Sequence, residues 1–138
     1  MITRILLAAG SLIFLILGGM HLAFTFFSDK FSPKNPQLEK SMKASSPLIT
    51  RRTTMWNAWV GFNASHSLGA IFFGAVNLLL VWQFYSVFEK SWSILLLDLP
   101  TILFYWFLGK KYWFNVPFAG ITIAGVLFLV AAFLLHFT

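Results

Sequence analysis

Five polar side chains stand inside long apolar stretches of this chain: His21, Asn63, His66, Asn77 and Asp98. An imidazole can ligate a metal, pass a proton or hydrogen-bond a neighbour. If His21 and His66 face each other, the pair suits a bis-His haem, a metal completed by Asn63, or a proton relay. The plainer role is a hydrogen bond between packed helices, which is what polar groups in membrane bundles commonly make. Asp98 is the one acid in an apolar span. An unpaired carboxylate at the centre of a bilayer costs about 2.5 kcal/mol or more, and pairing with Asn77 or protonation lowers that cost. These five residues form the candidate ligand-binding set. No catalytic residue and no metal site is assigned, and any cofactor stays unknown.

Several chemistries have no support. There is no H-E-x-x-H, glycine-rich phosphate loop or G-x-S-x-G. Ser65 and Ser67 flank His66, but adjacent helical residues point in different directions, so neither forms a Ser–His pair. With no cysteine, the chain has no disulfides, thiolate nucleophiles or iron–sulfur ligands.

The elements that must position these groups are helices in a bilayer. The chain has 138 residues, 59% hydrophobic and 10% charged, with a mean hydropathy of +0.80. Soluble domains carry roughly a quarter of charged residues. The pattern predicts an all-α fold, a four-helix transmembrane bundle running up-down-up-down in a single domain. The expected spans are about 5–27, 54–84, 91–108 and 117–137. The second, at about 30 residues or about 45 Å, exceeds the roughly 20 residues a bilayer core requires and should tilt or project into the cytoplasmic headgroups. A cleaved signal peptide is the alternative for the first span. Its apolar run is too long for that, and no A-x-A site follows. Short connections after the second and third spans make sequence neighbours antiparallel. Pro117 suits a first turn, where its missing N–H costs little. Trp82, Trp92, Trp106 and Trp113 mark helix ends as interface anchors, and Trp56 and Trp59 mark the other end of the second span.

At about 100° per residue, Trp59, Asn63, His66, Ala70, Phe73, Gly74 and Asn77 share one face of the second span. Ala64, Leu68, Phe72, Ala75 and Leu79 share the opposite face. The polar and small-residue face should point at other helices and the apolar face at lipid. The first span has a similar stripe of Gly10, Ser11, Gly18, His21 and Thr25. On the third, Ser91, Asp98, Thr101 and Tyr105 lie together, and Pro100 frees the carbonyl of Leu96. A broken turn beside an acid can line a wet cavity, or its freed groups can be satisfied by the second helix. His136 is near the chain end and is expected among headgroups or solvent.

The loop over 28–53 is polar and basic. Within 35–44 it either forms a short surface helix, with Asn35 as cap and Leu38 and Met42 toward the membrane, or stays irregular. The net charge of +6 comes from basic residues beside apolar spans. That suits anionic headgroups rather than nucleic acid. Lys30, Lys34, Lys40, Lys43, Arg51, Arg52, Lys110 and Lys111 fall on one side of the four spans, and only Arg4 and Lys90 on the other. Positive-inside then puts the basic loops in the cytoplasm and both termini outside.

The segments GGMHLAFTFF and TMWNAWVGFNASHSLG, joined by the basic loop, resemble a small bacterial family of four-helix integral membrane proteins of no known activity. The resemblance implies four spans and a place in the bacterial inner membrane. The topology also resembles the membrane-associated eicosanoid and glutathione metabolism proteins, which are trimers of four-helix subunits with a basic first loop. Arg52 and Asn57 are similar to the Arg and Asn of that family's second helix. The Glu that follows there, and the thiol-activating Arg of its fourth helix, are missing here.

The reading that follows is a non-catalytic membrane protein. Its inward stripe binds an apolar small molecule, a lipid or a partner helix, in a monomer or a homo-oligomer. The alternatives are an accessory subunit of a larger membrane complex and a membrane enzyme acting on a glutathione or lipid substrate. The orientation has a direct check. Cysteines introduced at Ser46 and Thr138 should label from opposite sides of the membrane, and labelling of the Ser46→Cys variant by an impermeant reagent in intact cells would overturn it.

Overall fold

The computed structural model describes residues 1–137. Thr138, the outer labelling position, lies outside the described residues. The elements are α1 (Ile2–Phe27), α2 (Pro36–Ala44), α3 (Met55–Gln83), α4 (Ser86–Lys90), α5 (Ser93–Tyr112) and α6 (Asn115–His136), with no strand among the described residues. Four of them, α1, α3, α5 and α6, are long and apolar enough to cross a membrane.

Helix ends differ from the expected bounds for local reasons. α5 runs on to Tyr112 and takes Lys110 and Lys111 into its last turn, where cations favour the helix dipole. α6 begins at Asn115, which leaves Pro117 in the first turn, where N–H groups have no helical partner anyway. In the segment expected to be plain loop, α4 forms and buries Phe88 completely.

The chain forms two compact units. One contains Met1–Leu17 and the chain from Ala70 onward, and the other is Gly18–Gly69. α1 and α3 each contribute to both.

In the first unit, Leu7, Phe14, Phe88, Leu95 and Phe128 are fully buried. Phe14 packs against Phe73 with ring centroids at 4.6 Å, and edge-on against Tyr105 at 5.5 Å. Two glycines set how closely the helices approach. A Cβ at Gly74 would sit 2.6 Å from the Ser11 carbonyl oxygen and 2.7 Å from the Leu15 nitrogen, so α3 lies directly on the α1 backbone. A Cβ at Gly10 would meet the Phe128 ring at 2.7 Å. At the start of α1, the Thr3 hydroxyl bonds the Tyr85 hydroxyl, and the Arg4 guanidinium lies 4.2 Å from the Tyr85 ring centroid. His136 stacks on Trp92 with centroids at 4.1 Å, rather than lying in solvent, and its Nε2 is buried without a hydrogen-bond partner.

α5 stays helical through Pro100. Leu96 and Pro100 are exposed while Asp98 is buried. Each lies roughly 160° around the helix from Asp98. The freed carbonyl therefore falls on the face away from the acid and lines no cavity with it.

In the second unit, residues 35–44 adopt the helical alternative. The Asn35 side chain accepts from the Gln37 N–H at 3.0 Å, with Pro36 in the first turn. Lys43 bridges Glu39 at 2.6 Å on an exposed face, an interaction of about 0.3–0.5 kcal/mol. The Met55 N–H donates to the Ser45 carbonyl and ties the loop to the start of α3.

The two faces of α3 separate by burial. Ala70, Gly74 and Asn77 are buried and Asn63 and His66 half-buried, while Leu68, Phe72, Ala75 and Leu79 are exposed. Trp59, at the start of the stripe, lies with Asn63 on the side of a small cleft and faces the loop. It is 42% exposed, and its indole N–H donates to the Phe31 carbonyl at 3.1 Å.

Gly74→Ala should lower stability by about 1–3 kcal/mol, because backbone atoms of α1 block the added methyl. Gly61→Ala, with nothing within 4 Å of its Cβ position, should be neutral or stabilising. Thermal melting of both variants in one detergent checks the contrast.

Candidate functional site

The candidate residues form two separate groups. The first lies in the Gly18–Gly69 unit, where the end of α1 and the start of α3 bring together His21, Asn63 and His66. His21 Nε2 is 2.9 Å from Asn63 Oδ1. The Asn63 amide nitrogen donates to the Trp59 carbonyl at 2.8 Å, one turn back on its own helix. That bond fixes the amide orientation, so Oδ1 faces His21 as acceptor and His21 Nε2 carries the hydrogen. In a neutral ring, Nδ1 is then the acceptor atom. The His21 and His66 rings meet edge to face, with centroids at 5.5 Å and an interplanar angle of 74°. Phe31, from the loop, lies against the other side of His21 at 4.3 Å.

This geometry does not fit a bis-His haem. A porphyrin iron needs a nitrogen from each imidazole aimed at it from opposite sides. Here His21 Nε2 is committed to Asn63, and the rings are too close to admit a macrocycle between them. A metal completed by Asn63 fits no better, since both ends of that amide are already bonded. Among the described residues there is no group of three or more His, Asp or Glu side chains that could hold a metal ion.

Beside this group opens a small cleft of about 30 Å³, room for about one water, lined by Thr25, Ser28, Phe31, Ser32, Trp59 and Asn63 among others. The Thr25 and Ser28 hydroxyls donate to the carbonyls of His21 and Phe24, four residues back, and Ser28 Oγ also accepts from the Lys30 N–H at 3.3 Å. Trp56 and Val60 complete its apolar wall. The sequence reading named Thr25 and the tryptophans for other roles and missed Phe31, Ser28 and Ser32. Loop residues carry no periodicity, so no sequence signal placed them here.

Compared with known protein families, curated proteins and solved structures, the chain has no match.

The second group lies in the other unit. Asn77 on α3 and Asp98 on α5 are 3% and 4% exposed. The Asn77 amide nitrogen donates both to Asp98 Oδ1 at 3.0 Å and to the Phe73 carbonyl at 3.2 Å. Asp98 lies about 8 Å along α5 from its first residue, slightly nearer the helix end than the expected span placed it. Asp98 therefore faces an amide donor across a helix interface.

Asp98→Leu should cost about 1–3 kcal/mol by leaving the buried Asn77 amide short of a partner. Asp98→Asn should preserve the fold, because an amide can still accept from Asn77. Melting temperatures in detergent decide this, and equal stability of the Leu variant and the parent would show that the contact is not maintained.

Proposed function

We propose that the chain is a small, non-catalytic integral membrane protein that binds an apolar or amphiphilic small molecule, or a lipid, in the cleft beside His21 and Asn63. Its four spans run up-down-up-down in the bacterial inner membrane, with both termini outside and the 28–53 loop in the cytoplasm. The alternation is supported by contacts that pair early with late residues: Thr3 with Tyr85, Ser11 and Leu15 with Gly74, and Gly109 with Phe118. Arg4, the charge that fits the orientation least well, has a local role over the Tyr85 ring.

The observation that carries the binding reading is the cleft itself. It has aromatic walls, a few hydroxyls, and at its edge an asparagine whose orientation is fixed from two sides. Apolar pockets with a few placed polar groups are the usual form of small-molecule sites. The way His21 is held favours positioning over proton abstraction, since its Nε2 already donates to an amide oxygen. An apolar ligand would lie between Trp59 and Val60, with its polar end toward the Thr25 and Ser28 hydroxyls.

Mass spectrometry of purified protein should find a co-purifying small molecule or lipid in the parent. Val60→Trp, which fills the cleft, should remove it with little change in melting temperature. His21→Ala should reduce it, and combining His21→Ala with His66→Ala should give non-additive effects, because the two rings touch. Unchanged ligand content in Val60→Trp together with additive histidine effects would reduce the group to helix contacts.

A further inference from the structure

The Asn77–Asp98 contact is one hydrogen short. Asn77 Nδ2 uses its two hydrogens on the Phe73 carbonyl and on Asp98 Oδ1. Asn77 Oδ1 and Asp98 Oδ2 are both buried and both without a hydrogen-bond partner. Turning the amide over does not help. It would aim Oδ1 at two acceptors, the Phe73 carbonyl and the carboxyl, and lose both bonds. Each of the two unpartnered atoms is an oxygen acceptor, so neither can satisfy the other. In an apolar span, where water does not reach, leaving such atoms unpaired is costly.

We infer that Asp98 and Asn77 form a binding site for one proton, held on Asp98 Oδ2 and donated to Asn77 Oδ1. In this arrangement the carboxyl is turned so that its Oδ2 hydrogen points at the amide oxygen. The contact then becomes a two-bond ring, with N–H donating to the carboxyl oxygen and O–H donating to the amide oxygen. All four polar atoms are partnered and the pair carries no charge. A sodium ion in the same place would find two oxygens where hard cations take six or more. A proton needs only these two. The ligand class is therefore a proton, and the site joins α3 to α5 as a neutral pair rather than as a buried anion.

Infrared spectra of the full-length protein in lipid bilayers at neutral pH test this. The sequence has four acidic side chains in all, so subtracting the spectrum of a single variant isolates Asp98. The parent should show a carboxylic-acid carbonyl band that shifts after exchange into D2O and is lost completely in Asp98→Asn. That variant should fold, because its amide supplies the missing donor permanently. Asn77→Ala, if it folds, should move the band to higher frequency by removing the acceptor. A carboxylate band that disappears in Asp98→Asn, with no acid band in the parent, would overturn the inference. It would point instead to a water or a metal cation bridging the two oxygens.

Discussion

A helix that crosses hydrocarbon has no solvent to satisfy its polar side chains, so each must find a partner within the protein. Most do so without leaving their own helix. Ser11 donates to the Leu7 carbonyl, Thr25 to His21, Ser67 to Asn63, Thr101 to Leu97 and Thr122 to Phe118, each four residues back. A hydroxyl has one hydrogen, and this bond uses it. Such residues are tolerated in an apolar span, but they select no neighbour through donation. Asn63 and Asn77 make the same backward bond, to Trp59 and Phe73, and still have a hydrogen and a carbonyl oxygen left. That surplus joins helices. Asn63 uses its oxygen on His21 of α1, and Asn77 uses its second hydrogen on Asp98 of α5. The side chains that specify partners are those whose bonding capacity exceeds what one turn of helix can absorb.

The rest of the packing must then come from close contact, because lipid tails are as apolar as leucine and nothing drives helices together by exclusion from water. In the unit built on Met1–Leu17 and the chain from Ala70, Gly74 admits the α1 backbone and Gly10 admits the Phe128 ring. Phe14, fully buried, sits between rings from α3 and α5. Removing a Cβ at a crossing point and filling the space with a ring serve one end, a dense interface of dispersion contacts. Ser11 belongs to this logic. Its side chain bonds Leu7, and its carbonyl oxygen is one of the atoms that Gly74 is small enough to approach.

How much of this could be read beforehand depends on whether a signal was periodic. The exposed and buried faces of α3 follow from the 3.6-residue repeat, because Leu68, Phe72 and Leu79 recur on one side and Ala70, Gly74 and Asn77 on the other. The Asn77–Asp98 pairing follows from scarcity. One acid in the spans, at a depth similar to that of one asparagine, leaves few other partners. What could not be read was set by contacts between non-periodic segments. Phe31 reaches His21 from a loop, and Tyr85 and Phe88 are buried by a helix of five residues. Trp59 donates its N–H to a loop carbonyl, a contact that no repeat announces. The Leu96 carbonyl freed by Pro100 lies away from Asp98 because two residues along a helix reach nearly the opposite side.

The two polar groups also differ in kind. Around His21 the donors and acceptors match. The amide nitrogen faces a carbonyl, the amide oxygen faces a ring N–H, and the rings contact each other and Phe31. No polar atom of this group is buried without a partner, so a ligand in the adjoining cleft would meet side chains that are already held. Preorganisation of this sort lowers the ordering cost of binding. Around Asp98 the acceptors outnumber the donors, and the pair is incomplete as drawn in heavy atoms. A matched cluster next to an open cleft suits recognition of something brought in from outside. A mismatched pair, buried and closed, suits only the smallest species able to reach it. The chemistry available at each place follows from counting hydrogens against lone pairs.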